Sequence, residues 1–139
     1  MGKEMGNTTA VIYASKLGKT RKVGNYIAKS ISADMFDLKK QTMINMSAYN
    51  HIIFGTGIHA GKPYKSLVTF LEANKAELAK KKTSLFICCM YNDEKGQAQC
   101  ERVSSELGIA EAVFFDGKSE KNEEGFEIAI DDFIAKLRA

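Results

Sequence analysis

The sequence predicts an α/β domain in which a parallel sheet is covered on both faces by helices. Three observations predict it. Apolar, β-branched runs alternate with helical patterns along the whole chain, with no linker, internal repeat or low-complexity segment between them. Alternation of that kind builds right-handed crossovers and a parallel sheet. The run Thr83–Met90 is almost continuously apolar, as suits a central strand buried on both faces. Finally, the loops at 15–20, 55–62 and 90–96 are rich in glycine or polar residues. In a doubly wound sheet, ligands bind beyond the carboxyl ends of the strands where strand order reverses.

The elements follow in order. Thr8–Ala14 is the first strand, and a helix from Thr20 to Ser32 carries Val23, Ile27 and Ile31 on one face, with Gly24 allowing close approach to the sheet. Met35–Leu38 is a short second strand, and Met43, Ile44 and Met46 fit a short helical turn after it. Asn50–Gly55 is the third strand. Gly55–Lys62 is a loop, since three glycines this close mark sharp turns or close backbone approach. Pro63, the chain's only proline, sits where a helix can begin, and Tyr64, Leu67, Val68 and Leu71 follow at helical spacing. Thr83–Met90 is the fourth strand. A helix carrying Cys100, Val103 and Leu107 then ends at Gly108. Ala112–Phe115 is the fifth strand. The last helix has the stripe Phe126, Ala129, Ile130, Phe133, Ile134 and Leu137.

At 139 residues the chain suits one domain, 1–139, with residues 1–7 as a short polar lead-in. Hydrophobic residues at 45% and charged residues at 27% are a globular balance, and no apolar run is long enough to cross a bilayer. No apolar stretch precedes the first strand, so the start does not read as a secretory signal. Cys88, Cys89 and Cys100 form no CxxC pair, which indicates neither a disulfide framework nor a zinc site and points to a reducing cytoplasm. Cys88 and Cys89 read as small core residues. The net charge is +3, with clusters at Lys39-Lys40 and Lys80–Lys82. No aromatic residues are interleaved with them, so nucleic acid is not expected; solvated loop charge is, with weak attraction to an anionic surface or acidic partner left open.

The most informative stretch is Ser15-Lys16-Leu17-Gly18-Lys19-Thr20, between the first strand and its helix. A buried strand turning into a helix points backbone N–H groups at one spot, at the positive end of the helix dipole. Ser15 and Thr20 can donate hydroxyl bonds, and Gly18 lets the backbone come close. Gly18-Lys19-Thr20 also matches the tail of a Walker A loop, but Tyr13 stands where that motif needs its first glycine. The loop is too short to wrap a triphosphate, so a single terminal phosphate fits better. The plain alternative is a strand-to-helix turn capped by Ser15 and Thr20.

These residues resemble the flavodoxin-like family, whose signature is a strand followed by T/S-x-T-G-x-T; Leu17 replaces the middle hydroxyl. Tyr49–Ile58 is similar to the family's strand followed by Gly-Ser/Thr. The nearest subgroup includes the menaquinone-dependent protoporphyrinogen dehydrogenases, to which Gly55–Gly61 is similar. The resemblance implies a doubly wound five-stranded sheet of order 2-1-3-4-5 and FMN as cofactor. It also implies that Ser15, Lys16, Leu17, Gly18, Lys19 and Thr20 hold the FMN phosphate. Thr56, Gly57, Ile58, His59, Ala60 and Gly61 would line one side of the flavin ring, and Tyr91 and Asn92 the other. Tyr91 is the stacking candidate, with an exposed loop tyrosine as the alternative. His59 would modulate charge on the ring or else be a solvated loop histidine, and His51 reads as structural. The chemistry would be the flavin's, with no metal and no catalytic side chain.

The implied function is an FMN-dependent oxidoreductase or electron carrier, with a redox partner protein or a small-molecule or quinone acceptor; peripheral membrane contact stays open. Two departures bear on it. The chain is slightly basic where many flavodoxins are acidic. Only Asp116–Asn122 separates the fifth strand from the last helix, so the late segment of the protoporphyrinogen dehydrogenases is absent. Two other classes share the fold. A phosphoacceptor receiver needs acidic residues at the end of the first strand, where Tyr13-Ala14-Ser15 stands. A module without flavin is kept open by Leu17 and by the lack of an aromatic residue in 55–62.

Overall fold

The computed structural model describes residues 8–16, 18–88, 94–116 and 119–138. In chain order they form β1 (Thr9–Ala14), α1 (Lys19–Ile31), β2 (Asp34–Asp37), β3 (His51–His59), β4 (Lys62–Pro63), α2 (Lys65–Ala73), α3 (Lys75–Leu78), β5 (Lys82–Cys88), α4 (Glu94–Leu107), β6 (Ala112–Phe115) and α5 (Ile128–Arg138). The sheet runs β2-β1-β3-β5-β6, with all four pairings parallel. Without the two-residue β4 this is the expected order 2-1-3-4-5. Thr9 pairs with His51 and Ala14 with Thr56, so β1 and β3 end side by side where the strand order reverses.

Alternation along the strands divides the core. Ala10, Ile12, Ile52, Phe54, Leu85 and Ile87 face one way, toward Leu67 and Phe70 of α2 and Val103 of α4. Val11, Ile53, Phe86 and Phe115 face the other, toward Ile27 of α1 and Phe133 of α5. Each fully buried aliphatic or aromatic side chain contributes about 1.5–3 kcal/mol of transfer free energy. Cys88 and Cys100 are buried in clusters on opposite faces of the sheet, as small core residues. Cys89 lies outside the described residues.

Five local expectations are corrected. Residues 55–62 are not a loop: β3 continues to His59, turns through Ala60 and Gly61, and returns as the antiparallel β4. Positive φ at both turn residues, 52° and 78°, is what a two-residue hairpin with the sheet's twist demands. Pro63 therefore ends a strand, and the helix starts at Lys65 after Tyr64 as its N-cap residue. Met43–Met46 forms no helix; Ile44 and Met46 are buried individually while Met43 is 87% exposed. In the last helix Phe126 precedes the first turn and Ala129 is exposed, leaving Ile130, Phe133 and Ile134 as the buried stripe. Gly24 is buried against Val11 and Phe86, but a methyl there would meet them at 3.6 Å, an ordinary contact that does not require glycine.

The lysine cluster at 80–82 is only partly solvated. Lys81 Nζ donates to Tyr49 O at 2.7 Å and pairs with Glu77 at 3.4 Å, pinning the end of α3 to the start of β3.

Candidate functional site

The carboxyl end of β1 carries the first group of candidate residues. Gly18 adopts a left-handed conformation, φ 90° and ψ −12°, immediately before α1. Its N–H donates to Ser15 Oγ at 3.2 Å, which leaves the Ser15 hydroxyl proton free to be donated elsewhere. Among the described residues the first helical bond of α1 runs from Lys22 N to Gly18 O. The N–H groups of Lys19, Thr20 and Arg21 come before it; among the described residues no side chain caps this end, and the first turn holds no acidic residue. This differs from the capped turn expected as the plain alternative. Ser15 bonds back onto the turn, and Thr20 is buried inside the helix rather than capping it.

Side-chain charge gathers at the same place. Lys16, Lys19 and Lys22 are exposed around the turn. Lys19 Nζ lies 3.3 Å from Oε1 of Glu127, a carboxylate that is 3% exposed. A cavity of about 260 Å³ opens beside them, lined by Gly18, Lys19, Lys22, Lys121, Phe126 and Glu127 among others. Leu17 lies outside the described residues.

The end of β3 supplies the second group. Thr56 is fully buried; its hydroxyl donates to Gly57 O at 2.8 Å and accepts from Tyr64 N at 3.1 Å. That side chain braces the hairpin against the start of α2. Ile58 packs on the core, while His59 and Ala60 are exposed at the hairpin tip. Gly61 O accepts from Arg102 Nη2 at 2.6 Å, tying the tip to α4. Tyr91 and Asn92 lie outside the described residues, so the third predicted loop is not placed.

One aromatic residue joins the two groups. The Tyr64 hydroxyl sits so close over Gly57 that a Cβ there would be 2.7 Å from it. Lys16 Nζ stands 5.2 Å from the centre of the same ring. Sequence reasoning counted Tyr64 as the first member of a helix stripe and missed its place at the strand ends. Glu127 and Arg102 had no sequence signal, because their partners are distant in the chain.

The opposite end of the sheet carries a polar chain that the sequence did not suggest. The Ser84 hydroxyl, fully buried, donates to Glu111 Oε1 and lies 2.8 Å from His51 Nε2. With serine in the middle and its proton bonded to a carboxylate, this is a brace across β3, β5 and the start of β6. Burial, with Lys82 nearby, holds the His51 imidazole below its ordinary value. Among the described residues no group of three or more His, Cys, Asp and Glu side chains could hold a metal ion. None of their helices is long and apolar enough to cross a membrane.

Comparison with known proteins points the same way. A family model described as Flavodoxin domain matches residues 10–121. An uncharacterised protein of Methanocaldococcus jannaschii is 34% identical over 67 residues, 48% of this chain and 43% of that protein. Among solved structures, rubredoxin oxygen:oxidoreductase from Desulfovibrio gigas superposes with a TM-score of 0.67 at 17% identity, covering 95% of this chain and 36% of that one. A flavoprotein in complex with FMN from Lactobacillus acidophilus gives 0.63 at 15% identity, over 81% of this chain and 96% of that one. The chain thus spans less than half the length of the archaeal relative and of the Desulfovibrio enzyme. At these identities the two structural likenesses show a shared fold.

Proposed function

Because the chain belongs to the flavodoxin domain family, we propose that it binds FMN and acts as an oxidoreductase or electron carrier. The observation that carries this reading is the uncapped start of α1, with Gly18 in a left-handed turn and three exposed lysines around it. Uncapped N–H groups at the positive end of a helix suit a phosphate. The residues present fit the group. Ser15, Gly18, Lys19 and Thr20, with Lys16 and Leu17, would hold the phosphate. Gly57, Ile58, His59, Ala60 and Gly61, with Thr56 bracing them, would border the ring on one side, and Tyr91 and Asn92 on the other. Tyr64 is added as a ring-side residue, because it already meets both Lys16 of the first turn and Gly57 of β3. FMN, when bound, supplies one- and two-electron chemistry, and the protein's part is orientation and local charge. Lys16, held over Tyr64, would favour negative charge developing nearby.

A second reading, a flavodoxin-fold interaction module without flavin, draws on two contacts: Tyr64 seated on Gly57, and Glu127 already paired with Lys19. One titration separates them. FMN fluorescence should be quenched at micromolar concentration, with riboflavin, which lacks the phosphate, binding at least about tenfold more weakly, a loss of about 1.4 kcal/mol. Gly18→Val forces a β-branched side chain into positive φ and should weaken FMN by a similar factor or more. Thr20→Ala should weaken it less. Unquenched fluorescence at about 100 μM FMN would sink the flavin reading and leave the second.

A further inference from the structure

Residues 39–50 form no helix, so the sheet face beside α2 is covered only by an irregular return segment. A cavity of about 500 Å³ remains between that segment and α2. Leu38 and Phe70, both buried, form its floor; Thr42, Lys65, Thr69 and Ala73 form exposed walls. Its lining is mainly carbon and includes no acidic residue. Lys65, exposed, is the one charged residue of the lining. Among the described residues it has no ion-pair partner. Met43, beside Thr42, is 87% exposed.

Size and charge decide the occupant. The volume falls within the ~300–1,000 Å³ range of small-molecule pockets, whereas a stable protein partner needs a flat buried area several times larger than this opening offers. An apolar floor with one unpaired cation, Lys65, at its wall complements an apolar body that ends in a single anion. We propose that this cavity binds a small amphipathic monocarboxylate, its chain on Leu38 and Phe70 and its carboxylate toward Lys65. The lining shares no residue with the proposed FMN site, and the cavity fills with or without flavin.

Decanoate titrated into the isotope-labelled full chain, with decyltrimethylammonium as a cationic control of equal chain length, tests the site by backbone amide shifts. Decanoate should saturate below about 1 mM and move the amides of 38–42 and 65–74, while the cation should not saturate. Lys65→Gln should weaken decanoate about fivefold or more, in keeping with one charge-assisted contact. That variant removes a cation from the first turn of α2, where the helix dipole opposes it, so the fold is not at risk. Ala73→Trp, on an exposed helix position, should fill the cavity and abolish saturation. FMN quenching should be the same in Lys65→Gln as in the unaltered protein, which keeps the two proposals distinguishable. Saturation by the cation as readily as by decanoate overturns the proposal. So do shifts confined to other residues, absence of saturation, or undiminished binding by either variant.

Discussion

Gly55 lacks a side chain because Phe86 occupies the space where one would stand. A Cβ built there would lie 2.1 Å from Phe86 Cζ, and Phe86 is fully buried on the adjoining strand. Gly55→Ala should therefore cost about 1–3 kcal/mol, the usual range for overpacking a core. A lower urea midpoint with unchanged slope would show it; a midpoint that does not move would mean the ring swings aside freely. The sequence showed Gly55 as one of three close glycines, where the third strand gives way to a loop. Its true reason is packing across β3 and β5, which no local pattern reports. Gly18 and Gly61 were legible in kind, since positive φ at a turn is what glycine supplies. Ala60 at φ 52° was not.

At the scale of elements, Asn122 gathers four side-chain hydrogen bonds within the connection from β6 to α5. Asn122 Nδ2 donates to Tyr26 Oη at 3.0 Å and to Asp131 Oδ2 at 2.9 Å. Its Oδ1 accepts the N–H groups of Glu124 and Phe126 at 2.9 and 3.1 Å. Tyr26 in turn donates to Asp131 Oδ1 at 2.6 Å and stacks on Phe126 at 4.1 Å. The hydrogen bond from Tyr26 holds the Asp131 carboxyl below its ordinary range, and the same bond holds the Tyr26 phenol above its own. Asn122→Ala removes four bonds at once and should cost about 1–3 kcal/mol by denaturant unfolding. Because Phe126 and Glu127 line the cavity beside Gly18, the variant should also loosen that cavity, and FMN quenching should weaken with stability. A variant as stable as the parent would show the connection to be held by packing alone. Helix and strand existence was readable from periodicity. The β3–β4 hairpin was not, because the glycine signal for a ligand-approaching loop and for a tight turn is the same.

Across the whole molecule, acid should act through His51 first. Burial, then Lys82, holds its folded imidazole below the ordinary 6.5. The unfolded chain therefore binds the proton more readily. The stability contribution is complete above about pH 6.5 and is lost as pH falls through the folded value. Asp131, also depressed in the folded state, adds a loss only below its ordinary 3.8. The unfolding temperature should fall as pH drops below about 6.5 in the parent protein and fall less in His51→Gln, which cannot titrate. Equal slopes in the two would remove His51 from the account.

From the chain alone, the alternation of apolar runs determined the fold class, the parallel sheet and its helical layers, and the residue types at 15–20 singled out the first strand-to-helix turn. Those features are local, written in periods of two and 3.6 residues and in turn chemistry. Only the tertiary structure decided that Tyr64 meets Gly57 and Lys16, that Glu127 reaches Lys19, and that the missing helix after β2 leaves a cavity. Each of those joins residues far apart in sequence, and such contacts are fixed by how the layers close rather than by any stretch of the chain.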